Sequence, residues 1–172
     1  MTNHPRVSTI LSLLYPGSLD FVEPHHLERG SRLHADMELW GTRQIDRNAE
    51  SFDVYEECVP LIDWMITQGV NIVSCEKQLT HGGFGFTGRP DAVIDWGGKR
   101  WVVDYKFAET ISDQNWMQME AYHALTGYNV VVIQCNKEGK VKIRKRKPRP
   151  DLWAAFLSGL NVKKFRMARG EE

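Results

Sequence analysis

The sequence predicts a mixed α/β fold, a central mixed β-sheet flanked by helices, on three observations. Hydrophobic spacing is helical before about residue 70 and then turns to short, β-branched, strand-like runs. The pair Gly97-Gly98 separates two of those runs, which is a hairpin signal. A polar-capped, glycine-stopped helical segment at 112–127 then interrupts the strands, so helices and sheet must share one core.

Taken in order, the segment from Pro24 to Gly41 places Leu33, Met37 and Trp40 on one helical stripe. A second helix, "YEECVPLIDWMITQG", closes at Gly69. Strands are expected at 71–79, 86–96 and 100–107, a helix at 112–127, strands at "NVVVIQCN" and "VKIRKRK", and a last helix at "PDLWAAFLSGL". With 172 residues and no repeat or linker, the chain reads as one domain, 1–172, whose last part, 137–172, is a basic strand and a helix.

Composition excludes several classes. Hydrophobic residues make up 42% and charged residues 26%, which is a globular rather than a disordered balance. No apolar run approaches the roughly 18 residues of a membrane span, and the apolar piece of "MTNHPRVSTILSLLYPG" is short for a signal peptide, so a cytoplasmic protein without membrane contact is expected. Net charge is zero, yet residues 18–57 carry ten acids against four arginines. "KEGKVKIRKRKPR" carries eight Lys or Arg against one Glu, which is either a polyanion contact or a solvated strand face. The six tryptophans read as core.

The informative stretch is "TGRPDAVIDWGGKRWVVDYKFA", an interior-like segment that carries Asp91, Asp104 and Lys106. Alternation puts Asp104 and Lys106 on one strand face, and the hairpin brings Asp91 to the neighbouring strand. Two adjacent buried carboxylates need a compensating cation. A divalent metal supplies one; on these residues alone a buried Asp–Lys ion pair with Asp91 as a turn residue explains the pattern equally well.

Acid-x-Lys recurs at Glu138-Gly139-Lys140 and Gly-x-x-Asp at Gly17 to Asp20, so neither is informative singly. Only Gly88-Arg89-Pro90-Asp91 is followed by acid-x-Lys one hairpin later, and then by Gln118-Met119-Glu120-Ala121-Tyr122 on the next helix. Gln118 and Tyr122, four apart, share a helix face. Upstream, Gly30-Ser31-Arg32-Leu33-His34 adds a helical Gly-x-x-x-His.

These four ordered elements, spanning about 27–136, resemble the PD-(D/E)XK nuclease superfamily, in particular its RecB-like branch, which includes phage, CRISPR-associated and mitochondrial exonucleases. The resemblance implies a restriction-endonuclease-like fold with an α-β-β-β-α-β core. It implies metal ligation by His34, Asp91, Asp104 and the backbone carbonyl of Tyr105, with Mg²⁺ or Mn²⁺, one or two ions, as cofactor. It gives Lys106 the role of orienting or deprotonating the attacking water and of offsetting developing charge, with Gln118 and Tyr122 positioning Lys106 and the phosphate backbone. Glu76 and Glu38 are candidates for supporting the metal site, with a surface salt bridge as the alternative for Glu76. Arg29, Ser31 and Arg32, beside the helix start, are candidate DNA phosphate contacts.

The implied activity is DNA exonuclease action in phage-type recombination, repair or processing; an endonuclease of the same fold and a catalytically silent nucleic-acid-binding module are the other readings. Some members of the branch hold an iron–sulfur cluster on four cysteines. Cys58, Cys75 and Cys135 are too few and too widely spaced, so no cluster is expected. No Gly-Lys-Ser/Thr phosphate loop is present, which leaves unwinding or strand annealing to a partner protein.

Overall fold

A computed structural model of the chain describes residues 4–17, 24–44, 56–136 and 138–171. The helices are α1 (Val7–Leu14), α2 (Pro24–Gly41), α3 (Val59–Thr67, entered through a 3₁₀ turn at Glu56–Cys58), α4 (Asp113–Thr126) and α5 (Pro150–Ala168). The strands are β1 (Asn71–Cys75), β2 (Leu79–His81), β3 (Phe86–Gly88), β4 (Ala92–Trp96), β5 (Lys99–Lys106), β6 (Asn129–Cys135) and β7 (Val141–Lys145).

Five strands form one mixed sheet in the order β1-β4-β5-β6-β7, and β2 pairs with β3 in a separate ribbon. Only β5 and β6 run parallel, which requires the crossover that α4 provides. With the β2–β3 ribbon as an insertion, α3, β1, β4, β5, α4 and β6 follow one another as the expected α-β-β-β-α-β core. Alternation along the strands gives the sheet two apolar faces. Val102, Val130 and Val132 pack with α1, α4 and α5, whereas Ala92, Ile94, Val103, Tyr105, Val131 and Ile133 pack with Leu33 and Met37 of α2 and with Leu61, Ile62 and Met65 of α3.

Several boundaries differ from the sequence reading, each for a local reason. Residues 86–96 are not one strand. Pro90, without an N–H, cannot continue a ladder, so β3 ends at Gly88 and β4 begins at Ala92 in the other sheet. Residues 71–79 likewise divide after Cys75, where Glu76 turns the chain with φ +47°. The α1 segment has Val7, Ile10 and Leu11 buried on one face and is an integral core helix. The α5 helix runs on to Ala168, and β7 stops at Lys145. Tyr55, where the second helix was expected to start, lies outside the described residues. No helix among the described residues is long and apolar enough to cross a membrane.

Candidate active site

The site lies where β4 begins and β5 ends. Gly88 has to be small: a Cβ there would lie 2.5 Å from Leu125 Cδ1 and 3.1 Å from both Tyr122 Cε1 and Val7 Cγ2. The close packing of β3 on α4 and α1 fixes the turn Arg89-Pro90-Asp91 that follows. Asp91 is buried, and its Oδ2 accepts a 2.7 Å hydrogen bond from the Tyr105 N–H of β5. The same oxygen stands 3.2 Å from His34 Nδ1 on α2.

Asp104 is fully buried on β5. Lys106 Nζ donates to its Oδ1 at 3.0 Å and makes an ion pair with Oδ2 at 2.9 Å. Beyond that ion pair, Asp104 Oδ2 has no hydrogen-bond partner among the described residues. The Lys106 ammonium, within 3.0 Å of both oxygens, offsets the burial of this carboxylate.

Ligand atoms of His34, Glu76 and Asp91 all lie within 4.8 Å of one another. Glu76 also bonds Arg89: its Oε2 is 2.7 Å from Arg89 Nε, and its carbonyl accepts from the same nitrogen at 2.9 Å. Glu38, half-exposed, reaches Arg89 Nη2 at 3.7 Å. On α4, the Ser112–Asn115 capping box and the left-handed Gly127 stop set the helix register. Gln118 Nε2 then donates to Tyr122 Oη at 3.0 Å, and Tyr122 donates to the Arg89 carbonyl at 3.1 Å. This chain ends on the Gly88–Asp91 turn; it does not reach Lys106.

No protein-family model matches the sequence, and no curated protein matches it. Two solved structures of an alkaline exonuclease, LHK-Exo from Laribacter hongkongensis, do match the fold. The complex with dAMP superposes with TM-score 0.52 at 16% identity, covering 97% of this chain and 92% of that one. A second structure of the same enzyme gives TM-score 0.51 at 13% identity over 97% and 92%.

The fold is that of LHK-Exo, a five-stranded mixed sheet flanked by helices of the restriction-endonuclease-like kind.

Charges within the site follow from burial and neighbours. Burial pushes the Asp104 carboxyl up to about 6, aided by Asp91 and opposed by Lys106 and His34. Burial disfavours the Lys106 ammonium, but the Asp104 and Asp91 charges outweigh it, so Lys106 stays a cation and is not set up to take a proton. His34 is likewise raised: desolvation opposes its charge, and the Asp91 hydrogen bond with the Asp91 and Asp104 charges prevails. Burial and the Asp91 charge raise Glu76, with Arg89 opposing. Burial also raises Tyr122, which keeps its phenol a hydrogen-bond donor.

The candidate phosphate contacts fare unequally. Arg29 lies 4.1 Å over the Phe107 ring, immediately beyond Lys106. Ser31 returns its hydroxyl to the Leu27 carbonyl at 3.0 Å, and the Arg32 charge acts on Cys58, on the α3 side. All three sit inside α2, which starts at Pro24, so their backbone N–H groups belong to the helix and are not donors at a helix start, contrary to the sequence reading.

Sequence reasoning missed Arg89, whose side chain bridges Glu76 and Glu38 and whose carbonyl anchors Tyr122. It lay inside the Gly-x-x-Asp element at a variable position. Also missed was a cavity of about 260 Å³ beside the turn, lined by Arg6, Ser8, Gln78, Thr87, Arg89 and Tyr122. Its Arg6 and Ser8 sit at the start of α1, which the sequence reading did not treat as structure.

Proposed function

We propose that the whole chain is one nuclease domain, a Mg²⁺- or Mn²⁺-dependent deoxyribonuclease that removes nucleotides from DNA ends. The single observation that carries this reading is the buried Asp104 beside Lys106. Its carboxylate is ion-paired to the lysine through both oxygens, at 3.0 and 2.9 Å, and a His34–Glu76–Asp91 cluster, with ligand atoms within 4.8 Å of one another, lies at the same end of the sheet. That donor set, carboxylates with one imidazole, fits a divalent cation. His34, Glu76 and Asp91, whose ligand atoms lie together, would hold the ion, with Asp104 at the end of β5 completing the set. The Tyr105 carbonyl would join them, since in an extended strand it faces the same side as the N–H bonded to Asp91.

Such an ion supplies the charge that neutralises the scissile phosphate and acidifies the attacking water. Lys106, a cation anchored on Asp104 Oδ1, orients that water and offsets charge gathering on the phosphate. Tyr122 and Gln118 hold the Gly88–Asp91 turn in register, so Asp91 stays aligned with the end of β5. Gly30, one turn before His34, has nothing within 4 Å of where a Cβ would be, which leaves room for a substrate backbone. Arg29 stands beyond Lys106 to meet a phosphate. A fold shared with an enzyme solved with dAMP favours DNA as substrate and exonucleolytic action.

The test is digestion of end-labelled linear, nicked and covalently closed circular DNA in each metal. Nucleotide release from linear DNA only, lost in Asp104→Ala, is the expected result. Cleavage of closed circles would replace the exonuclease by an endonuclease, and no metal-dependent cleavage of any substrate would leave a silent binding module. Recombination, repair or processing of DNA, with a separate protein for unwinding or annealing, is the setting this reading implies.

A further inference from the structure

The basic segment 137–149 has no place yet in the reaction, and strand register assigns it one. Lys106 of β5 pairs with Gln134 of β6, which pairs with Lys142 of β7. Asp104 pairs with Val132, which pairs with Arg144. Laterally paired residues share a face, so Lys142 and Arg144 lie on the catalytic side of the sheet, two strands or about 10 Å from Asp104 and Lys106. Ile143 and Lys145 take the opposite face, where Lys145 Nζ stands 3.8 Å over the Trp96 ring.

Gln134 holds the arrangement together. It is 1% exposed, donates from Nε2 to the Ala108 carbonyl at 2.8 Å, and accepts from Arg144 Nε on Oε1 at 2.8 Å. Both ends of one buried amide are thus committed, one to the loop that leaves the catalytic strand and one to the guanidinium. Arg144 is exposed, and its two Nη nitrogens have no hydrogen-bond partner among the described residues. A guanidinium fixed through Nε presents its outer edge as a preset fork for a phosphate. Lys142 lies alongside, 3.9 Å from Glu109, while Arg146 is 3.9 Å from Asp113; these acids keep the track from being uniformly positive.

We propose that Arg144, positioned by Gln134 and assisted by Lys142, binds the phosphodiester backbone of the DNA strand as it crosses from the catalytic residues toward the β7 edge. This rests on the nuclease reading and adds the path of the substrate. It makes Arg144 a substrate contact outside every motif element and Gln134 a positioning residue.

The experiment is fluorescence-anisotropy binding of labelled single-stranded and duplex oligonucleotides, with Ca²⁺ replacing Mg²⁺, over a range of KCl, alongside steady-state hydrolysis in Mg²⁺. Arg144→Ala is expected to raise Kd about tenfold and to raise KM with kcat nearly unchanged. The slope of log affinity against log salt is expected to fall by about 0.7 per lost phosphate contact on a single strand, or about 0.9 on duplex, so the two arms identify which form lies on the track. Lys145→Ala removes the same charge from the other face and is expected to leave Kd unchanged. Gln134→Met is expected to weaken binding as Arg144→Ala does, with no further loss in the double variant.

Equal effects of Arg144→Ala and Lys145→Ala, or no change in Kd and salt slope for Arg144→Ala while hydrolysis continues, would overturn the track and leave the nuclease reading intact. Absence of hydrolysis with the Arg144-dependent binding preserved would overturn the nuclease reading and keep the track. Failure of the wild-type chain to bind either oligonucleotide would remove both.

Discussion

Asp104 is the side chain at which burial, charge and ligand demand meet. Its raised pKa means that the folded, metal-free chain holds the Asp104 proton more tightly than an unfolded one. The stabilisation from that proton is full below the ordinary 3.8 and is lost as pH rises through about 6. On the proposed reading a metal ion needs the carboxylate, so the proton would compete with the ion, and His34, also raised, would add to the competition. Manganese affinity measured by calorimetry is expected to be flat well above pH 6 and to fall by at least about tenfold per pH unit below it. Affinity unchanged between pH 5 and pH 8 would show that neither group is a ligand. Burial pushes the Cys58 thiol up to about 12 and Cys75 to about 11, which leaves almost no thiolate near neutrality. Native protein is therefore expected to resist iodoacetamide at pH 8, with alkylation at Cys58 appearing only on addition of denaturant; prompt labelling of Cys58 in the native state would contradict its burial. At this scale the proposed site residues were legible, because Asp104 and Lys106 share a strand face, Gln118 and Tyr122 share a helix face, and Asp91 follows one hairpin away. Arg89 and Gln134 were not, since their roles depend on partners 13 residues away for Arg89 and 10 and 26 residues away for Gln134.

The elements matter through the places where they touch. Gly88 packs against both α1 and α4, so Gly88→Ala has to displace Leu125, Tyr122 or Val7. The expected cost is about 1–3 kcal/mol in urea unfolding, together with a lowered kcat, because the displaced Tyr122 holds the Arg89 carbonyl. Ser112→Ala removes the α4 cap and is expected to cost about 1 kcal/mol with KM little changed, since the cap sets helix register and touches no substrate group. Equal loss of kcat in the two variants would mean that helix stability, rather than turn geometry, limits the reaction. The same contacts explain what the sequence concealed. Strand period and the Gly97-Gly98 turn located the β4–β5 hairpin to within a residue or two, and capping residues located α4. The break at Arg89-Pro90-Asp91 was signalled only by Pro90, and the assignment of β3 to a second sheet depends on β2, Arg6 and Pro5, which no local pattern connects. The α1 helix escaped because eight residues with three buried positions carry too little period to stand out.

Across the whole molecule, charge is separated along the sheet's width: Asp91 and Asp104 stand where β4 begins and β5 ends, while β7 at the edge carries Lys142, Arg144 and Lys145. A net charge of zero is thus a sum of two opposed fields, and binding a divalent ion removes the repulsive one. Because the site draws on α2, β1, β4 and β5 together, an ion held there ties elements from both sides of the chain's midpoint and binds only the folded state. At an ion concentration one hundred times Kd the gain is about 2.7 kcal/mol, which for a chain of this size corresponds to a Tm rise of roughly 5 to 10 °C. Calorimetry is expected to show this rise for the wild-type chain and its loss in Asp91→Ala. Lys106→Met separates the two roles of the site. Removing the cation that competes for Asp104 is expected to preserve or enlarge the Tm shift while abolishing turnover. A Lys106→Met variant that lost the shift and turnover together would make the lysine part of the structural frame of the metal site instead of a group acting on the substrate.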